Sequence, residues 1–154
     1  MTSLADAARA YIGTRFRHRG RSKSGMDCPG PVKLAWRDAY GEELPDFLLY
    51  GREPFRDGLI EYATAALGPP VRVAPVRMSD LRVDDVILMR FDVNPHHVAI
   101  VADHDYGGIR ALTIIHADGW APPAEGCKSP GKVHEHRLTP DMVARITHVY
   151  RRPV

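Results

Sequence analysis

Cysteine is scarce in this chain. There are two among 154 residues, Cys28 and Cys127. Two cysteines behind a start that carries no secretory leader are no disulfide framework, so both are expected to be free thiols. Long apolar runs are missing as well, since no stretch approaches the ~20 residues of a membrane-spanning helix. The opening "MTSLADAARAYIG" lacks the basic beginning and apolar core of an export signal, so synthesis in the cytoplasm and no membrane partner are expected. Charge of one sign is also in short supply. A formal net charge of +2 gives no reason to expect a nucleic-acid partner, and the local run "RFRHRGRSK" at 15–23 reads more simply as a solvated loop. Internal repeats and low-complexity tracts are absent.

What is present fits one domain over residues 1–154. Hydrophobic residues make up 44% and charged residues 26% of the sequence, and a chain of this length buries roughly 70% of its unfolded surface. Ser3 followed by Asp6 forms a capping pair, and Leu4, Ala7, Ala8 and Tyr11 share one helical face, which predicts a helix over 3–12 closed by Gly13. Leu34, Ala35, Trp36 and Tyr40 predict a second helix stopped by Gly41, and "FRDGLIEYATAALG" predicts a third ended by Gly68. Beyond it come "VRVAPVR", "DVILMRF", "HHVAIVAD", "ALTIIHA", "KVHEHRL" and "ARITHVYRR", short β-branched runs separated by Gly, Pro, Asp and Asn. They predict an antiparallel meander of five or six strands, with "YGG" at 106–108 as a hairpin turn. The fold class is therefore α+β, helices first and sheet second.

The chemistry centres on "SGMDCPGPVKLAW" at 24–36. A cysteine at a helix entrance meets unpaired backbone N–H groups, which favour thiolate over thiol. A nucleophilic thiol also needs a base, and the base needs a group to orient it. Of eight histidines, His97 opens the apolar run "HVAIV" and His116 closes "LTIIHA", both at strand ends. His96 competes with His97, because adjacent strand residues point to opposite faces and "VAIVA" is apolar on both. Two prolines crowd the cysteine. The residue before a proline avoids helical dihedrals, so Cys28 and Gly30 are expected to be extended, with Gly30 the cap and Pro31 the first helical residue.

Other residues carry simpler readings. Asp27 is a loop or capping residue, or a partner standing behind the cysteine. Cys127 lies in the turn-rich "PPAEGCKSPG" and is incidental. His96, His97, His104, His116, His134 and His136 invite a metal, and "HEH" puts two imidazoles on one strand face. No "HExxH" and no paired cysteine motif supports that, so neither metal nor cofactor is expected.

Taken together, "DC.G.V" opening a helix, "H.A/V.I" opening a strand and "HA" closing the next resemble the NlpC-type papain-like cysteine peptidases, which cut peptidoglycan stem peptides. The resemblance runs over almost the whole chain. "KLAWRDAYGEELP", "DDVILMRF", "KVHEHRL" and the final "YRRP" are similar to the subgroup encoded with phage and phage-like tail genes. It implies a papain-like fold with N-terminal helices packed on the sheet, Cys28 as nucleophile, His97 as general base and His116 orienting His97. The implied partners are stem peptides and tail-tip or hub proteins, in a virion or phage-like tail. Phe16 stands where many members have a tyrosine whose hydroxyl helps to hold the oxyanion. The competing functions are a structural tail-hub or assembly protein on the same fold, and a thiol-dependent acyltransferase or deamidase acting away from the cell wall.

Overall fold

The computed structural model describes residues 2–17, 21–45, 58–90, 95–118 and 131–153, without the side chains of Arg21, Pro95, His96 and Asp118. Cys127, Phe91 and the "FRD" expected to open the third helix lie outside them. Ser3 caps α1 (Leu4–Arg9), its hydroxyl accepting from the Asp6 N–H at 3.0 Å. The helix ends earlier than its apolar spacing suggests, and the chain turns through Gly13 at φ +93°. Two short strands, β1 (Arg21–Ser22) and β2 (Gly25–Met26), pair in the stretch the sequence reads as loop. Strands of two residues have no alternation to betray them.

The second helix, α2 (Pro29–Tyr40), buries Val32, Leu34, Ala35 and Trp36 and closes on Gly41, left-handed at φ +69°. Its start corrects the expectation of a late entrance. Cys28 is the cap and is itself helical, at φ −61° and ψ −37°, with Pro29, Gly30 and Pro31 forming the first turn. Amides in a first turn have no acceptor within the helix, so Pro29 and Pro31 give up nothing there. All three residues are buried, and that packing overrides the local preference of a pre-proline residue. Gly58, left-handed at φ +90°, leads into α3 (Leu59–Leu67).

All six expected strands form: β3 (Arg72–Val73), β4 (Val86–Arg90), β5 (Pro95–Tyr106), β6 (Ile109–Asp118), β7 (Lys132–Arg137) and β8 (Ile146–Tyr150). They make one antiparallel sheet in the order β3-β8-β4-β5-β6-β7. The meander runs from β4 to β7. It breaks at β8, which returns to lie between β3 and β4. The β5–β6 hairpin turns where expected, Tyr106 pairing with Ile109 around Gly107 and Gly108, both at positive φ. A short helix not foreseen from the sequence, α4 (Pro140–Val143), is capped by Thr139.

Strand alternation divides the core in two. Val86, Leu88, Val98, Ile100, Ile115, Ala117 and Val133 pack under α1, α2 and α3. Ile87, Met89, Ala99, Val101 and Ile114 face the other way and are closed over by Val76, Leu81, Leu138 and Val143. Among the described residues no helix is long and apolar enough to cross a membrane.

Arg9 locks α1 to the sheet. It donates to Glu135 on β7 through Nε at 2.9 Å and Nη2 at 3.1 Å, and to the Asp103 carbonyl at 2.6 Å. Burial pushes the Glu135 carboxyl up, but the hydrogen bonds from Arg9 and Thr113 outweigh it and hold the group below its ordinary value of 4.5. A depressed carboxylate stabilises the fold above its unfolded pKa, and that contribution is lost as pH falls through the folded value. Glu135→Gln should therefore flatten stability against pH below about 4.5, measured by urea unfolding across pH. Arg9→Ala should cost about 2 kcal/mol at neutral pH.

Candidate active site

Cys28 stands at the head of α2, 8% exposed, and α2 packs against β5 and β6. These two strands carry His97 and His116, which are 4% and 2% exposed. Both lie at the end of the β5–β6 ladder remote from the hairpin. His97 Nε2 and His116 Nδ1 are 2.6 Å apart, with the rings edge to face at a centroid separation of 4.8 Å.

A chain of backbone pairings brings the cysteine to the same end of the sheet. Arg15 bridges Lys132 at the start of β7, and Phe16 bridges Met26, two residues before Cys28. Lys132 pairs with Asp118 and His134 with His116, so the segment leading to Cys28 lies along the start of β7, at the end of the sheet that carries His116. A recess on the helix side is lined by Pro29, Val32, Leu44, Tyr62 and Val98.

Asp27 is 1% exposed, and its carbonyl accepts the Gly30 N–H at 3.0 Å. Pro29 and Pro31 carry no N–H, so Gly30 is the one residue among the first three of α2 with an amide to offer, and Asp27 takes it. Phe16 is half-buried against the helix-side core and brings no hydroxyl. The side chain of His96 lies outside the described residues.

The histidine cluster extends beyond His97 and His116 to two others of the six that the sequence offers as metal ligands. His116 Nε2 is 2.7 Å from His136 Nε2, and His136 Nδ1 is 3.1 Å from the Arg137 carbonyl oxygen. The tautomers follow from that last contact. A carbonyl can only accept, so His136 Nδ1 carries the hydrogen and its Nε2 accepts in the neutral ring. His116 then donates from Nε2 and accepts at Nδ1, which leaves His97 donating from Nε2. In neutral His97 the lone pair sits on Nδ1, the nitrogen not engaged by His116.

His134 completes the group, its ring stacked on that of His116 at 4.6 Å. The ligand atoms of His116, His134 and His136 lie within 4.8 Å of one another, a set able to hold a metal ion. The signal was in the sequence, since "HEH" presents two imidazoles on one face, but their contact with His116 depends on a strand register that periodicity leaves open.

No protein-family model matches the chain, and no curated protein matches it. Among solved structures it is similar to the NlpC/p60 domain of the peptidoglycan hydrolase SagA, with a TM-score of 0.54 and 17% sequence identity, over 97% of this chain and 96% of that one. At that identity the likeness is one of fold. The α+β architecture expected from the sequence, helices against an antiparallel sheet of five or six strands, is found with six, and it matches the fold of that NlpC/p60 domain.

Proposed function

We propose that this chain is a cysteine peptidase that hydrolyses amide bonds in the stem peptides of peptidoglycan, with Cys28 as nucleophile, His97 as base and His116 orienting His97. The observation that carries the proposal is the buried His97–His116 contact at 2.6 Å, on the strands against which the cysteine-headed helix packs. The fold shared with a domain of a peptidoglycan hydrolase supports the substrate class. Delivery by a phage or phage-like tail is part of the proposal and rests on the flanking motifs.

In the proposed reaction His97 Nδ1 takes the proton of the Cys28 thiol, and the thiolate attacks the scissile carbonyl carbon. The tetrahedral adduct collapses as the leaving amine receives that proton from His97, leaving a thioester. Water gives a proton to His97, its oxygen adds to the thioester carbon, and the carboxylic acid departs as Cys28 regains its proton. Burial of both rings strengthens each electrostatic contact on this path.

Incubation with purified sacculi and defined muropeptides tests the reading, with released fragments identified by mass spectrometry. New fragments carrying a free stem-peptide carboxylate are expected from the intact protein. A folded protein that releases none, and whose Cys28 resists iodoacetamide until the pH nears the ordinary thiol value of about 8.5, would overturn it in favour of a structural tail component. Turnover of a protein or lipid amide with none on muropeptides would point to the acyltransferase or deamidase.

A further inference from the structure

We propose that His116, His134 and His136 form a binding site for a divalent transition metal, zinc being the commonest fit, and that occupation of this site switches off the cysteine. The second half of the proposal rests on the peptidase reading above. The first half does not.

The geometry is that of three imidazoles presented on one sheet face. His134 and His136 alternate with Val133 and Glu135 along β7, and His134 pairs directly with His116 on β6. Their ligand atoms fall within 4.8 Å of one another. A tetrahedral ion with bonds of about 2.05 Å sets its nitrogens about 3.3 Å apart, so the His116 and His136 Nε2 atoms, now 2.7 Å apart, need separate by only about 0.6 Å.

The rings are also oriented from behind. His136 Nδ1 is held by the Arg137 carbonyl and His116 Nδ1 by His97, the outer contacts that commonly fix a ligating histidine. Within this triad the donors are all nitrogen. Glu135, the carboxylate between the two β7 histidines, is turned to the other face of the strand, where Arg9 and Thr113 hold it. Imidazole donors without carboxylate favour zinc, copper or nickel over magnesium or calcium. His116 is buried and the other two are half-buried, so the site is open enough to load and leaves a fourth position for water.

Occupation has a defined effect on the catalytic pair. Metal on His116 Nε2 requires a lone pair there, which moves the ring hydrogen to Nδ1. His116 then donates to His97 Nε2 instead of accepting from it, and neutral His97 must carry its own hydrogen on Nδ1. Two hydrogens change nitrogen and none is lost, but the atom that would accept the thiol proton no longer has a lone pair.

Zinc chloride titrated calorimetrically into a Cys28→Ala, Cys127→Ser protein tests the site without any need for activity and without a competing thiol. One zinc per chain is expected, with affinity at least tenfold weaker in added His134→Gln or His136→Gln. No binding, or the same affinity in both variants, overturns the site. Copper(II) bound to the same protein with its histidines intact should show nitrogen couplings from three imidazoles in its paramagnetic resonance spectrum. Fewer overturn the assignment even if the glutamine variants misfold. With Cys28 present, zinc should inhibit hydrolysis, and His134→Gln should raise the zinc needed by the same factor as its loss of affinity. Inhibition that ignores His134 places the metal on Cys28 and overturns the switch. A protein that binds zinc as described but hydrolyses nothing sinks the peptidase reading and leaves the metal site standing.

Discussion

Cys28→Ala is expected to lower hydrolysis of muropeptides by at least about a thousandfold, because the covalent route disappears with the sulfur and the remaining groups have no thioester to form. Cys28→Ser should fail nearly as completely, since a hydroxyl is a far weaker acid than a thiol and His97 has little driving force to deprotonate it. His97→Ala should fall to a similar floor. His116→Ala should cost about a hundredfold or more, because it leaves the base in place and removes what fixes its tautomer. Steady-state rates on one defined muropeptide, with circular dichroism melts alongside, make the comparison. The fold should tolerate the alanine at Cys28, a small side chain in the helix-side core, at about 1 kcal/mol, so lost activity in a protein that still melts cooperatively reports chemistry. An alanine variant that kept its rate would exclude Cys28 as nucleophile.

The largest effect on stability is expected from Arg151→Ala. Asp85, at the start of the β4 hairpin arm, is 0% exposed. It accepts from Arg151 Nε at 2.7 Å and Nη2 at 2.8 Å, and from the Arg82 N–H at 2.8 Å. Removing the guanidinium leaves a buried carboxylate with one backbone donor, which should cost about 3–5 kcal/mol. For a chain of this size that is a fall in Tm on the order of 10 °C. Asp85→Asn in the same background should recover part of the loss, because a neutral amide is cheaper to bury and can still accept from Arg82. Thermal melts of the single and double variants decide it, and a double variant no better than the single would show that charge was not the issue. The consequence reaches the site through β5, since the Asp85 carbonyl accepts the Val101 N–H at 2.8 Å on the strand that carries His97.

The sheet was legible because each long strand announces itself by β-branched runs and by the glycines between them, and the turn at Gly107 and Gly108 needs residues that accept positive φ. The place of β8 was not, because alternation tells which face a residue takes and nothing about which strand lies beside it. Cys28, His97 and His116 were legible as residue types at the ends of elements. The helical dihedrals of Cys28 were not, since the rule for residues before proline describes a chain without neighbours, and here Pro29, Gly30 and Pro31 are packed inside. His136 was visible as one half of "HEH", but its place behind His116 is set by the β6–β7 register, where a shift of a single residue would have turned it to the opposite face.

The pairing of residues 13–16 along β7 has a further consequence. An unpaired strand edge invites another chain to add to it. At the start of β7 that position is taken: Gly13 donates to the Val133 carbonyl, Val133 to the Thr14 carbonyl and Phe16 to the Gly131 carbonyl. The strip of backbone that leads to Cys28 is therefore also the strip that covers the start of this sheet edge. Under the proposed function, damage that peeled it away would displace Cys28 and expose a sticky border in one event, so that loss of hydrolysis and onset of self-association would arrive together.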